Sequence, residues 1–185
     1  MSDFNKIADY AKKRYADANC TYGDDEGSYM IHIDMVIDFL MKHLNVFTSI
    51  NDCNAVIGAA YTHDLIEDAK QTYNLIYDIC GKDVADITLS VTDVPAKNRL
   101  MKHLLTMGKT VQNYRGIILK MADIYANASY SKTNHSSMYP KYVEEYEYRK
   151  PIFKMALKWY KNDLNQDELD NIWKELDEIH NINLK

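Results

Sequence analysis

The chain has 185 residues, of which 46% are hydrophobic and 26% charged, and its net charge is −5. That length fits one domain with a continuous core, and no run of about 18 apolar residues exists to span a membrane. No segment is dominated by Lys and Arg, which argues against a nucleic-acid polymer as partner while leaving room for a small phosphorylated ligand held through a cation.

With only 6 Gly and 3 Pro, and few alternating strand patterns, helix is the expected state almost throughout. Phe4, Ile7, Ala8, Ala11 and Tyr15 recur at helical spacing in a first helix. Residues 19–28, with two Gly and the acidic run Asp24-Asp25-Glu26, read as a loop. Helices follow at 29–44 and 51–68, then shorter ones at 71–80, 82–91 and 97–106, the last two separated by a turn at Val94-Pro95. The pattern is helical again over 112–130 and 140–161, where Pro151 either kinks the helix or opens a second piece. Asn165 with Glu168 resembles an N-cap arrangement, and Leu169, Ile172, Trp173, Leu176 and Ile179 form one apolar stripe beyond it. No repeat or linker intervenes, so residues 1–185 are expected to form a single all-α domain, with a core over 3–160 and a C-terminal helix over 165–181. Cys20, Cys53 and Cys80 match no metal-site spacing, and Met1-Ser2-Asp3-Phe4-Asn5-Lys6 lacks the layout of a signal peptide. Reduced thiols in a cytoplasmic protein are the simplest reading.

The stretch Tyr61-Thr62-His63-Asp64-Leu65-Ile66-Glu67-Asp68 carries the most chemistry. It grows out of the apolar run 55–60, so it is expected to deliver polar groups into the interior, where they cost several kcal/mol unless compensated. A divalent cation supplies that compensation, since His nitrogens and Asp oxygens are natural ligands for Mn2+, Fe2+ or Zn2+. A helix through this stretch would put His63 and Glu67 on one face and Asp64 and Asp68 on the next. Taken singly, His63-Asp64 is a helix end with an acidic tail, His32 a core histidine, and Asp123 a partner for Lys120. Taken together, His32, His63-Asp64 and Asp123 are three ligand-bearing points on otherwise apolar helices.

That order resembles the H…HD…D metal site of the HD superfamily. Tyr29-x-x-His32, His63-Asp64-x-x-Glu67-Asp68, Val91-Thr92-Asp93 and Lys120-x-Ala122-Asp123-x-x-x-Asn127 are similar to the hydrolase domain of RelA/SpoT proteins. The likeness is greatest to its small stand-alone form, the metazoan SpoT homologues, which remove the 3′-pyrophosphate of (p)ppGpp, and it spans residues 3–160. It implies an HD-type helical bundle around one divalent ion, usually Mn2+, with Fe2+, Zn2+, Co2+ or Mg2+ compatible. His32, His63, Asp64 and Asp123 are then the ligands, and Glu67 and Asp68 orient and deprotonate the attacking water. Asn127 faces the nucleotide or its phosphate, Tyr146 the sugar, and Lys97 and Arg99 the phosphates.

Three positions depart from that pattern. The family's Arg-x-Lys-Asp-type motif before the first ligand is replaced by Asn19-Cys20-Thr21-Tyr22-Gly23-Asp24-Asp25-Glu26, its His-Pro step by His32-Ile33, and the arginine before its sugar-side tyrosine by Tyr142, with Lys141 beside it. A hydrogen bond to a charged group is worth roughly 1.5–3 kcal/mol, so fewer cations should weaken the hold on a highly phosphorylated ligand, and the reaction type is better determined than the substrate. Beside (p)ppGpp 3′-pyrophosphate hydrolysis stand two other readings. One is a (deoxy)nucleotide phosphohydrolase or dNTP triphosphohydrolase, with Tyr22 stacked on the base. The other is a non-catalytic nucleotide-binding module, which would have no need of Glu67 and Asp68. In each the partner is a small phosphorylated nucleotide, and a homo-oligomer is left open. His43, His103, His135 and His180 read as surface or packing residues.

Overall fold

The structure, a computed structural model, describes residues 4–23 and 27–182. The acidic run Asp24-Asp25-Glu26 lies outside these residues. Helix α1 spans Phe4–Asp17, strands β1 and β2 span Thr21–Tyr22 and Gly27–Ser28, and α2 spans Met30–Lys42. Then come α3 (Ile50–Thr62), α4 (Tyr73–Cys80), α5 (Lys82–Val91), α6 (Arg99–Thr110), α7 (Tyr114–Thr133), α8 (Tyr139–Leu157) and α9 (Gln166–Ile179). The all-helical expectation holds, and no described helix is long and apolar enough to cross a membrane.

Side-chain caps set several boundaries. Asn98 accepts from the Met101 amide at 2.9 Å, so α6 begins at Arg99 and leaves Lys97 in the preceding bend. Asn113 accepts from the amides of Arg115 and Gly116, starting α7 at Tyr114. Asn165 accepts from Asp167 and Glu168 and starts α9 as its spacing predicts. Pro151 lies inside α8, which continues through it to Leu157.

Two expectations are corrected. Within 19–28, Thr21 pairs with Ser28 and Tyr22 with Gly27 in an antiparallel hairpin. The helix expected over 51–68 stops at Thr62, and His63–Asp68 follow as tight turns. Side chains compete there for the carbonyls a continuing helix would use: Thr62 Oγ1 reaches Ala59 O at 3.4 Å and His63 Nδ1 meets Ala60 O at 2.8 Å. The chain tightens instead, with the Leu65 amide on Thr62 O at 3.0 Å and the Gln71 amide on Leu65 O at 2.9 Å.

Helix α7 is the axis. Ile117, Ile118, Leu119, Met121, Ala122, Ile124 and Ala126 are all buried, so it is apolar on every side and surrounded by other helices. Helices α2, α3, α5 and α8 pack against it, and α3 packs on α5. That last approach is close because Gly58 has no side chain: a Cβ there would lie 2.8 Å from Val84 Cγ2 and 3.4 Å from Ile7 Cδ1. Four residues on, Thr62 and Thr88 join their hydroxyls at 2.6 Å across the same interface. Gly58→Leu is therefore expected to destabilise the chain by about 1–3 kcal/mol through overpacking. Thermal melting checks this, and an unchanged Tm contradicts the close contact.

Candidate metal centre and active site

Two helices and one turn deliver the four expected ligands to one point. His32 comes from the first turn of α2, Asp123 from the middle of α7, and His63 and Asp64 from the turn leaving α3. His32 Nε2 lies 3.2 Å from His63 Nε2, 3.3 Å from Asp123 Oδ1 and 3.7 Å from Asp64 Oδ2. His63 Nε2 lies 3.0 Å from Asp64 Oδ2. His32, His63 and Asp123 are buried, and each offers a ligand atom within 4.8 Å of the others.

This donor set fits a divalent cation. Ligands about 2.1 Å from a common ion are about 3.0 Å apart at right angles and about 3.4 Å apart at tetrahedral angles, the range most of these edges occupy. His63 Nδ1 faces the Ala60 carbonyl, so its proton belongs there and Nε2 presents a lone pair inward. His32 Nδ1, by contrast, is buried with no hydrogen-bond partner among the described residues.

Burial opposes every charge here, and the neighbours decide the outcome. Burial alone would lower the His63 pKa, but Asp64, with Asp123 behind it, pushes it up to about 9. The same His63 holds Asp64 below the usual carboxylate range despite burial. Lys120, one turn before Asp123 and 2.9 Å from its Oδ2, keeps that carboxylate ionised, and Asp123 in return keeps the buried ammonium charged. The pairing of Asp123 with Lys120 and its place in the cluster therefore coexist, Oδ2 on Lys120 and Oδ1 beside His32.

Behind the ligands stand Glu67 and Asp68, pointing to different partners. Glu67 Oε1 accepts the Asp93 amide at 2.7 Å, yet burial and the charges of Asp64 and Asp93 push its pKa up to about 7. Asp68 is raised as well, by burial and Asp64, and Tyr29 partly offsets this through a 2.8 Å hydrogen bond. The shared-face arrangement expected for 63–68 is thus replaced by a turn that sends Glu67 towards the segment joining α5 to α6 and Asp68 towards the start of α2.

A cleft of about 120 Å³ opens beside Asp123, lined by Asp93, Arg99, Lys102, Lys120, Asn127, Tyr142, Glu145 and Arg149. Its cations are paired: Arg99 forms a two-point contact with buried Glu145, Arg149 meets Glu145 at 3.3 Å, and Lys102 meets Asp93 at 2.5 Å. Asn127 lines the cleft and donates to Asp123 Oδ1 at 2.6 Å. Tyr22 stacks on the His32 ring with 4.8 Å between centroids and also meets Tyr130. Lys97 is exposed and outside the lining.

Tyr146 is not brought to the site. Its hydroxyl donates to Asp177 at 2.7 Å and its ring stacks on His180 at 4.1 Å. Helical phase is the reason: Tyr142, Glu145 and Arg149 share the face of α8 that looks into the cleft, and Tyr146 is rotated towards α9. Sequence reasoning gave no site role to Lys102, Lys120, Tyr142 or Arg149. For Lys102, Lys120 and Arg149 signals are present as spacings on single helices: Arg99 to Lys102, Lys120 to Asp123 and Glu145 to Arg149. The other histidines stay apart from the metal centre. His43 is buried against Glu168 and His180 against Leu176 O, His135 is exposed, and His103, expected to be a surface or packing residue, meets Tyr148 and lines the cleft 3.8 Å from Glu145. A cavity of about 590 Å³ lies by His43 and α9, away from this chemistry.

These shifts set a pH dependence for the metal-free chain. His63, raised from 6.5 to about 9, stabilises the fold fully below its unfolded value, and that contribution is lost as pH rises through 9. Glu67, raised from 4.5 to about 7, holds in the folded state a proton that the unfolded chain gives up, so its contribution falls as pH rises from about 4.5 to about 7. His103 and His180, lowered to about 4 by burial, oppose Glu67 below about 6.5. The Tm of chelator-treated protein is therefore expected to drop as pH is raised from about 7 to about 9, where His63 gives up its proton, and saturating Mn2+ to flatten the drop, since ligand binding requires the deprotonated forms. A metal-free Tm that stays level or climbs over that range contradicts the charge arrangement.

No family model matches the chain, and no curated protein matches it. Among solved structures, a metazoan orthologue of SpoT, which hydrolyses ppGpp and plays a role in starvation responses, aligns with 97% of this chain and 94% of its own at 19% identity and a TM-score of 0.71. At that identity the likeness is one of fold. Over nearly its whole length, then, this chain is similar in fold to a metazoan SpoT orthologue.

Proposed function

We propose that the chain is a metal-dependent phosphohydrolase that removes the 3′-pyrophosphate of (p)ppGpp-type nucleotides. The observation that carries this reading is the convergence of His32, His63, Asp64 and Asp123, with Glu67 and Asp68 behind them and a cation-lined cleft alongside. The fold shared with a ppGpp hydrolase supports it. One divalent ion, with Mn2+ the first candidate, would neutralise phosphoryl oxygens and lower the pKa of a bound water. His32, His63, Asp64 and Asp123 would hold it. Glu67 would accept the proton of the attacking water, and Asp68 would hold that water in line. Arg99, Lys102 and Arg149 exchange part of their pairing with Glu145 and Asp93 for phosphate oxygens, Lys120 stays on Asp123, and Tyr142 takes the place expected of Tyr146 beside the sugar.

The whole chain is read as one unit of this kind, with α9 closing on the core. A cytoplasmic setting goes with that reading, supported by three free cysteines. One feature favours a second substrate class. No basic residue stands between 19 and 29, and the cleft's cations are already paired, which suits a nucleotide with fewer phosphates than ppGpp.

Purified protein with Mn2+ is expected to release pyrophosphate from ppGpp faster than it releases any product from a panel of dNTPs. Faster dNTP turnover moves the assignment to the second class, and inertness towards every phosphate ester tested overturns the enzymatic reading. His63→Ala is expected to remove metal and activity together. Glu67→Gln is expected to retain metal and lose about 10²–10⁴-fold in kcat; full activity in that variant contradicts its role.

A further inference from the structure

Hairpin β1–β2 occupies the stretch where the resembling family carries a basic motif, and it brings aromatic hydroxyls there instead. Tyr22, on β1, covers His32 with its ring, the planes inclined by 29°, and its hydroxyl donates to Asn127 Oδ1 at 3.1 Å. Asn127 passes the contact on through Nδ2 to Asp123 Oδ1. Tyr29, the residue after β2, places its hydroxyl 2.6 Å from Asp64 Oδ2 and 2.8 Å from Asp68 Oδ2. Each ligand carboxylate is thus reached from the hairpin, Asp64 directly and Asp123 through one amide.

The rings that carry these hydroxyls are themselves fixed. Tyr29 stacks on Tyr15 with 4.6 Å between centroids and meets Tyr22 edge-on at 6.2 Å. The Tyr15 hydroxyl donates to Tyr61 O, at the end of α3 and two residues before His63. Gly23 seats the hairpin on α7: its φ is +83°, and a Cβ there would lie 1.9 Å from the Tyr130 hydroxyl oxygen.

We propose that Tyr22 and Tyr29 are positioning residues, a clasp that holds the Asp123 and Asp64 carboxylates in the orientation a bound cation requires. The inference rests on the metal-site reading above. A ligating carboxylate free to turn about its side-chain bonds must lose that freedom on binding, whereas one already held by a hydroxyl or amide does not. Partners of this kind typically change metal affinity or activity by about 10–100-fold. A second consequence concerns Asn127 and the faces of Tyr22. Asn127 lines the cleft with both ends of its amide engaged, so facing the nucleotide as the resemblance implies requires it to exchange a partner, and the Tyr22 face on His32 is closed to the base stacking of the (deoxy)nucleotide reading.

Tyr29→Phe and Tyr22→Phe keep both rings and remove only the hydroxyls, so packing and positioning separate. Mn2+ titration followed by electron paramagnetic resonance, beside steady-state kinetics on ppGpp, is the test. Tyr29→Phe is expected to weaken Mn2+ binding about 10–100-fold, to lower kcat with KM unchanged, and to recover part of its rate in excess Mn2+. Tyr22→Phe, acting through Asn127, is expected to shift both in the same direction by less. The metal-free Tm of each stays near wild type. Mn2+ affinity within about twofold of wild type in both variants, well short of the change such partners cause, overturns the clasp. If wild-type protein binds Mn2+ but hydrolyses no nucleotide, the proposed function falls and the titration still decides the clasp. A wild-type chain that binds no Mn2+ overturns both.

Discussion

The structure depends on bringing two imidazoles and two carboxylates together inside a helical interior. Groups of this kind are costly to desolvate unless paired, and His32, His63 and Asp123 are almost fully buried. Part of the compensation comes from within the protein: Lys120 on Asp123, Asn127 on the same carboxylate, Tyr29 on Asp64 and the Ala60 carbonyl on His63. These contacts leave the centre of the cluster unbalanced. Two imidazole nitrogens face each other at 3.2 Å with carboxylate oxygens beside both, an arrangement that calls for positive charge, which in the metal-free chain a proton on His63 supplies. A dication meets that requirement, and the same charge is what a phosphoryl group needs in order to be attacked.

The end of α3 shows how local backbone chemistry serves this arrangement. Neighbouring residues on a regular helix diverge by about 100°, so His63 and Asp64 cannot both face one point while the helix continues. Termination at Thr62 lets His63 Nε2 and Asp64 Oδ2 approach to 3.0 Å. It also separates the two carboxylates behind them, sending Glu67 to the Asp93 amide and Asp68 to Tyr29. Thr62 and His63 bond to the last carbonyls of the helix, so its terminus and the candidate metal centre share a side chain.

Much of this is legible in the sequence where a polar residue interrupts an apolar helical period. His32, His63 and Asp123 stand out on that ground, and their convergence is what the resemblance of their order to the H…HD…D pattern implies. Helix order is legible too, through apolar periodicity and, for α9, through the Asn165 cap. What stays hidden depends on tertiary placement. Periodicity cannot tell which of Tyr142 and Tyr146 looks into the cleft, because that is set by where α9 packs against α8. The pairing of Arg99 with Glu145 joins α6 to α8 and has no local signature across that gap. The hairpin reads as a loop because its strands are two residues each, too short for an alternating pattern to register.

The central claim is that four side chains hold one ion. Crystals grown with Mn2+ and measured on both sides of the manganese absorption edge test it most directly. The account predicts a single strong anomalous peak at bonding distance from His32 Nε2, His63 Nε2, Asp64 and Asp123. A peak elsewhere in the chain, or none at a site where the four side chains remain packed as described, contradicts it.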